Sequence, residues 1–358
     1  MCLIYIFFIS GIIMSCNDVS SPSNVRSGSN SKEGWLIPAS QIADGGPGKD
    51  SIPALEKPDF IPVSQASYLN NDSRVLVLKS GLTVKIYPHS ILNWHEIVND
   101  EIGQENVSIT YCPLTGSGIG YESLVRQGGK FAKSTFGVSG LLYNNNLILY
   151  DRLTDSYWSQ MRMQCVGGEL KGDYPNFIHL LETGFGAVKD LYPDAQVLSN
   201  ITNVYNPSQY KRYPYGDYRT NHDNIIFLLN PDDRRLNRKE RVLGVLEYYT
   251  KRVYQFKHFA SGTAVINDEI DGSPIVIAGS SDHDFIAAFE RPDSSAVLQK
   301  TSEALPAVME DSDGNVYNFF GEAVKGPLKG TKLKALKSFT AYWFSFGAFY
   351  PGIEIYGE

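Results

Sequence analysis

Val98-Asn-Asp-Glu-Ile-Gly103 returns later in the chain as Ile266-Asn-Asp-Glu-Ile-Asp271-Gly272. A second run, Val166-Gly-Gly-Glu-Leu-Lys-Gly172, returns as Val324-Lys-Gly-Pro-Leu-Lys-Gly330, and Tyr192-Pro-Asp194 then meets Tyr350-Pro-Gly352 without a gap. Matches in constant order predict one unit present twice. In this register His95 falls opposite Thr263, and Cys112 opposite Ser280. Packing alone would treat two copies alike, so reactive side chains kept in one copy point to the first half as the seat of any chemistry.

Around these matches the pattern is mostly β. Arg74-Val-Leu-Val-Leu78 and Leu82-Thr-Val-Lys-Ile86 flank Lys79-Ser-Gly81, a hairpin signature. Asn106–Tyr111 alternates as a strand that delivers Cys112 at its end, and residues 140–150 carry a turn between two runs of β-formers. Residues 273–278 and 285–289 repeat the idea. Helical signals are fewer, at 89–98, at 184–191 and at its counterpart 341–349. These features predict a β-rich α+β fold of two tandem related halves packed as one globular unit. The expected boundaries are 35–72 for an extended N-terminal segment, 73–200 for the first half, 201–241 for a tyrosine-rich connection and 242–358 for the second half.

The N-terminal end supplies an address. Leu3 to Met14 is apolar but too short to span a bilayer, and it ends in Ser15-Cys16. This resembles a bacterial lipoprotein signal peptide, residues 1–15, cut before a cysteine that takes the lipid. Residues 16–34 are rich in Ser, Asn and Gly, the composition of a flexible tether. The expectation is a domain in the bacterial cell envelope, facing periplasm or exterior, with the membrane as partner through lipidated Cys16. Net charge is −7 and the basic residues are scattered, which argues against nucleic acid as a partner.

Several longer motifs are distinctive: Gly45-Gly-Pro-Gly-Lys-Asp-Ser-Ile-Pro53, Ile91-Leu-Asn-Trp-His-Glu-Ile-Val-Asn-Asp100, Thr110-Tyr-Cys-Pro-Leu-Thr-Gly116 and Phe136-Gly-Val-Ser-Gly-Leu-Leu-Tyr143. Leu149-Tyr-Asp-Arg152, Tyr157-Trp-Ser-Gln160, Tyr215-Gly-Asp-Tyr-Arg219 and Glu240-Arg-Val-Leu-Gly-Val245 continue them in order. From about Trp35 to the C-terminus the chain resembles the bacterial family known as domain of unknown function 3179. That resemblance implies a family and no reaction. It also implies a frequent second cysteine where this chain has Thr115, so a dithiol cycle at this loop would lack one partner.

Cys112 is the leading candidate for chemistry. Amides of the turn through Gly116 and a nearby imidazole would favour the thiolate, the form that attacks or binds metal. His95 is the expected base or second ligand and Glu96 the group that orients it, with a transition metal as the possible cofactor. Thr115 could donate to the sulfur. The alternatives are a Cys112–Cys165 disulfide or a plainly buried thiol. Met161, Met163 and Cys165 alternate as if on one strand face, which suits either cuprous ion or packing, and packing is favoured because Phe319, Gly321 and Ala323 stand opposite.

Asp151-Arg152 reads as a local ion pair and Gln160 as the end of a following strand. Asp282-His-Asp284 could hold a divalent cation or simply face water. Whether the chain is an enzyme stays open here. Two readings remain: an envelope thiol or metal site at Cys112 with His95, and a non-catalytic module presenting Tyr205, Tyr210, Tyr213, Tyr215 and Tyr218, with Arg212 and Arg219, to a glycan or protein partner.

Overall fold

Arg74-Val-Leu-Val-Leu-Lys-Ser80 is apolar at most positions because both its faces are covered. In the computed structural model, which describes residues 34–358 apart from positions 47, 261 and 293, this stretch is strand β1. Val75 and Val77 enter a core with Val276, Phe285 and Phe289, whereas Leu76 and Leu78 enter another with Val98, Val107 and Ile109. Successive side chains on a strand take opposite faces, so a strand covered on both needs an apolar residue at each step. Each such Val or Leu contributes about 1.5–3 kcal/mol by leaving water. The leader, Cys16 and the tether up to residue 33 lie outside the described residues.

The chain continues through β2 (Thr83–Pro88), α1 (His89–His95), β3 (Ile97–Ile102), β4 (Glu105–Cys112) and β5 (Ser117–Glu122). Next come β6 (Phe136–Tyr143), β7 (Asn146–Asp151), β8 (Tyr157–Ser159), β9 (Gln164–Gly167), β10 (Leu181–Gly184), α2 (Gly186–Lys189) and β11 (Gln196–Leu198). Beyond the connection lie β12 (Arg241–Val245), β13 (Arg252–Gln255), β14 (Thr263–Ile270), β15 (Ser273–Ser280) and β16 (Phe285–Glu290). The last elements are β17 (Gln299–Lys300), β18 (Ala307–Glu310), β19 (Val316–Asn318), β20 (Ala323–Lys325), β21 (Ser338–Tyr342), α3 (Trp343–Phe349) and β22 (Glu354–Ile355). Among the described residues, strand makes up 41% and helix 10%, so β-rich is the right description.

Sheet orders recur between the two stretches. Strands run β10-β1-β2-β11 in one and β21-β12-β13-β22 in the other, with the final pairing parallel in both. The meander β3-β4-β5 has its counterpart in β14-β15-β16, and β6-β7-β8-β9 in β17-β18-β19-β20. Strands Ile42–Asp44, Leu55–Glu56 and Phe60–Pro62 add to β6, β3 and β11 respectively.

The side-chain parity also recurs: Leu243 and Val245 pack with Ile275 and Ile277 of their own stretch, while Val242 packs with Cys112, Ile119 and Tyr121 of the other. Each hairpin sheet thus lies between its own meander and that of the other stretch. Matching backbone bonds seal the crossing, with Gly184 N donating to His283 O (3.0 Å) and Tyr342 N to Thr115 O (2.8 Å).

All three helices are shorter than the pattern predicts. Helix α1 ends at His95 because Glu96 takes a left-handed conformation (φ 57°) and the β-branched Ile97-Val98 then starts β3. Helix α2 keeps only four residues, Gly186–Lys189, and α3 spans Trp343–Phe349 because Ala341 and Tyr342 close β21.

Candidate functional site

Cys112 ends β4 with 1% of its surface exposed. The following loop closes on Gly116 (φ 62°), where an added Cβ would lie 3.1 Å from the Tyr342 ring. The Cys112 thiol donates to the Asn145 carbonyl at 3.6 Å. Burial raises the thiol to about 11, the charge of nearby Glu96 adds to this, and the Thr115 hydroxyl pulls the other way. At neutral pH the sulfur is therefore a neutral thiol, the poor nucleophile of the two forms.

His95 is fully buried but does not serve the thiol. Its Nδ1 lies 2.7 Å from the Pro53 carbonyl and its Nε2 2.7 Å from the Tyr210 hydroxyl. Burial, partly offset by the Pro53 contact, lowers its basicity. The left-handed turn at Glu96 sends the next side chain elsewhere, so Glu96 does not orient the imidazole. Its carboxyl accepts a 3.4 Å hydrogen bond from Tyr215, and burial raises it to about 7. The chain thus brings Glu96 close to Cys112 and leaves His95 in a separate contact with the connection.

The secondary candidates belong to structural networks. Thr115 Oγ1 lies 2.8 Å from Ser117 Oγ and accepts from Asn146 Nδ2 at 2.9 Å. Gln160 accepts from Ser117 (2.7 Å) and Asn146 (2.8 Å) and donates to Thr110 (2.9 Å), so this buried amide, just past the end of β8, joins three strands. Asp151 and Arg152 do not pair. Asp151 accepts from Thr154 N (2.7 Å) and Trp158 Nε1 (3.0 Å), whereas Arg152 bonds Glu56, Thr135 and Phe136.

Met161 and Met163 lie in the turn before β9, with Met163 left-handed (φ 49°), so they share no strand face with Cys165. All three are core residues. Cys112 and Cys165 are both free and buried, which rules out the disulfide here. Among the described residues, no three His, Cys, Asp or Glu side chains are grouped to hold a metal ion.

The tyrosines of the connection face inward. Tyr213 donates to Pro113 O (3.1 Å) and Tyr218 to Leu114 O (3.0 Å), covering the Cys112 loop. Asn144 and Asn145, both left-handed in the β6–β7 turn, each use the side-chain amide like a strand edge: Asn145 exchanges two bonds with Phe227 (3.0 and 2.8 Å), and Asn144 two with Asn230 (3.0 and 2.8 Å). Lys239 holds the connection from beneath, donating to the carbonyls of Tyr218, Asn221 (2.8 Å) and Asn224 (2.6 Å), and burial pulls its amine down to about 8.

Where the connection meets both stretches, an open cleft of about 480 Å³ is lined by Arg74, Arg219, Lys239, Arg241, Lys257 and Tyr342, among others. Arg74 and Arg241 converge on Asp284, Arg74 Nε at 2.5 Å, and Arg241 also bonds buried Glu182 at 2.7 Å. Asp284 is thus committed to two arginines, which removes the cation reading of Asp282-His-Asp284. Buried His89, its ring 4.3 Å from that of Tyr111 and tilted 40° to it, is held well below the usual imidazole range by burial and then by the charges of Arg74, Arg241 and Arg219.

None of these arginines except Arg219 was legible as a site residue. The available signal was the shared triplet Arg74-Val-Leu76 and Arg241-Val-Leu243, which marks two equivalent arginines at the start of equivalent strands.

No curated protein and no solved structure matches the chain. Residues 49–353 match the sequence model described as protein of unknown function DUF3179, and the chain belongs to that family.

Proposed function

We propose that this chain is a lipid-anchored cell-envelope binding protein, made of two tandem copies of one β-rich unit, that holds a small ligand where the copies and their connection meet. The duplication is supported by the paired sheet orders and by reciprocal bonds such as Phe185 N to Ser73 O (2.8 Å) and Trp343 N to Glu240 O (2.8 Å). The anchor is supported by the short apolar run ending in Ser15-Cys16. The cleft itself carries the binding reading. It draws residues from both copies and the connection, and its volume falls in the range of small-molecule sites.

A catalytic Cys112 with His95 and Glu96 is the less favoured reading. Its thiol is buried and neutral, and both imidazole nitrogens have other partners. A tyrosine-presenting surface is also less favoured, since Tyr210 and Tyr218 are buried and the Tyr213 and Tyr215 hydroxyls bond inward.

Native mass spectrometry of the full chain extracted from membranes tests the binding reading. A small molecule retained by the wild type and lost in Thr220→Trp, which fills the cleft from its exposed rim, is the expected result. Absence of a retained molecule from the wild type, or its retention by the variant, would refute cleft binding. Cys16→Ala should release the chain from the membrane fraction, and continued lipid-dependent attachment would refute the anchor.

A further inference from the structure

We propose that the cleft takes a small organic anion, with a carboxylate or phosphate gripped by Arg219 and the outer nitrogens of Arg74 and an apolar body against Phe256 and Tyr342. This rests on the cleft being the binding place. The lining holds five cationic side chains, Arg74, Arg219, Lys239, Arg241 and Lys257, against two acidic ones, Glu240 and Asp284. In a chain of net charge −7, that is a local reversal of sign, and low-dielectric walls concentrate such a field.

The cations are not equally committed. Lys239 is consumed by three carbonyls, and Arg241 by Glu182 and Asp284. Arg74 uses only Nε on Asp284, which leaves the two terminal nitrogens of its guanidinium without a partner among the described residues. Arg219 lies 4.7 Å from the Tyr213 ring centroid and pairs with no carboxylate among the described residues. A stacked guanidinium keeps its planar fork of donors fixed, the geometry that receives carboxylate or phosphate in two parallel hydrogen bonds.

Two uncommitted polar groups lie in the same neighbourhood. The Tyr342 hydroxyl, on the lining, bonds no described residue. Buried His89, which is not on the lining but feels the charges of all three arginines, has no partner for Nε2. Buried polar atoms ordinarily find partners. A bound molecule with acceptor oxygens would satisfy the free donors of the lining, and the Tyr342 phenol would join the arginines in reading it.

Isothermal titration of the full chain in mild detergent with phenyl phosphate, benzoate and benzyl alcohol tests the assignment. One or both anions should bind, more weakly at high salt, and benzyl alcohol should not. Arg219→Ala should weaken anion binding by about tenfold or more, the loss of one charge-assisted contact, with an unchanged melting temperature. Phenyl phosphate bound without benzoate would assign a phosphate ester, and the reverse a carboxylate.

Benzyl alcohol bound as tightly as the anions, and blocked by Thr220→Trp, would overturn the anion assignment and leave the cleft reading standing. Anion binding that survives both Arg219→Ala and Thr220→Trp would place the anion elsewhere and overturn the proposal. No heat with any probe also overturns it, while the native mass measurement judges the cleft separately.

Discussion

Glu96→Gln should change how stability depends on pH. The Glu96 carboxyl is buried beside Cys112 and titrates near 7 when folded, against 4.5 when exposed. Below about 4.5 both states carry the proton. Between 4.5 and about 7 only the folded state does, so stability falls as pH rises through that window. At about 1.4 kcal/mol per pKa unit, the folded protein loses roughly 3 kcal/mol by pH 8 relative to pH 4. Gln cannot ionise, and it keeps an oxygen to accept from Tyr215.

Urea denaturation of both proteins from pH 4 to pH 8.5 measures the difference. The variant should gain roughly 3 kcal/mol on the wild type across the range, most of it between pH 5 and 7. Because other titrating groups are common to both proteins, the difference isolates Glu96. Parallel curves would show that the carboxyl is hydrated or already ionised, and the account of a neutral thiol beside a neutral acid would fail with it.

Iodoacetamide at pH 8 should leave Cys112 and Cys165 unmodified in the folded chain and alkylate both in urea, as peptide mapping would read; rapid native labelling of Cys112 would reinstate a nucleophile. Arg241→Leu should cost about 3–5 kcal/mol, because it strands Glu182 and leaves Asp284 with one arginine; a loss under about 1 kcal/mol in urea denaturation would refute that pairing. Lys239→Met should expose the connection near Asn221 to limited proteolysis before global unfolding, whereas unchanged cleavage would show that the lysine does not hold it.

The hairpins, the meanders and the end of β4 at Cys112 were legible because their signals are local: alternating apolar residues, a glycine turn, an Asn-Asn turn. What the residue pattern misassigned was direction. His95 and Glu96 are neighbours in sequence, but a helix end with a left-handed cap sends them to different partners, and no side-chain periodicity reports the sign of φ at one residue. Asp151 and Arg152 were misread for a related reason: Asp151 closes β7 and Arg152 opens the turn after it, where the side chains part toward different partners.

The cleft was illegible on other grounds. Arg74, Arg219 and Arg241 meet only because each hairpin sheet packs against the meander of the other stretch, an arrangement that no single stretch encodes.

That crossing of sheets and meanders also governs when the cleft can form. The bonds that close the cleft join residues far apart along the chain, Arg74 to Asp284 and Tyr342 to Thr115 among them. Contacts of such long range form late, because the chain entropy of closing the loops must be overcome before any contact rewards it. Neither stretch can present half a site in the meantime. A chain cut short before β21 would lack the strand whose Tyr342 N bonds the Cys112 loop at Thr115, so the proposed cleft is complete only once the last strands have joined.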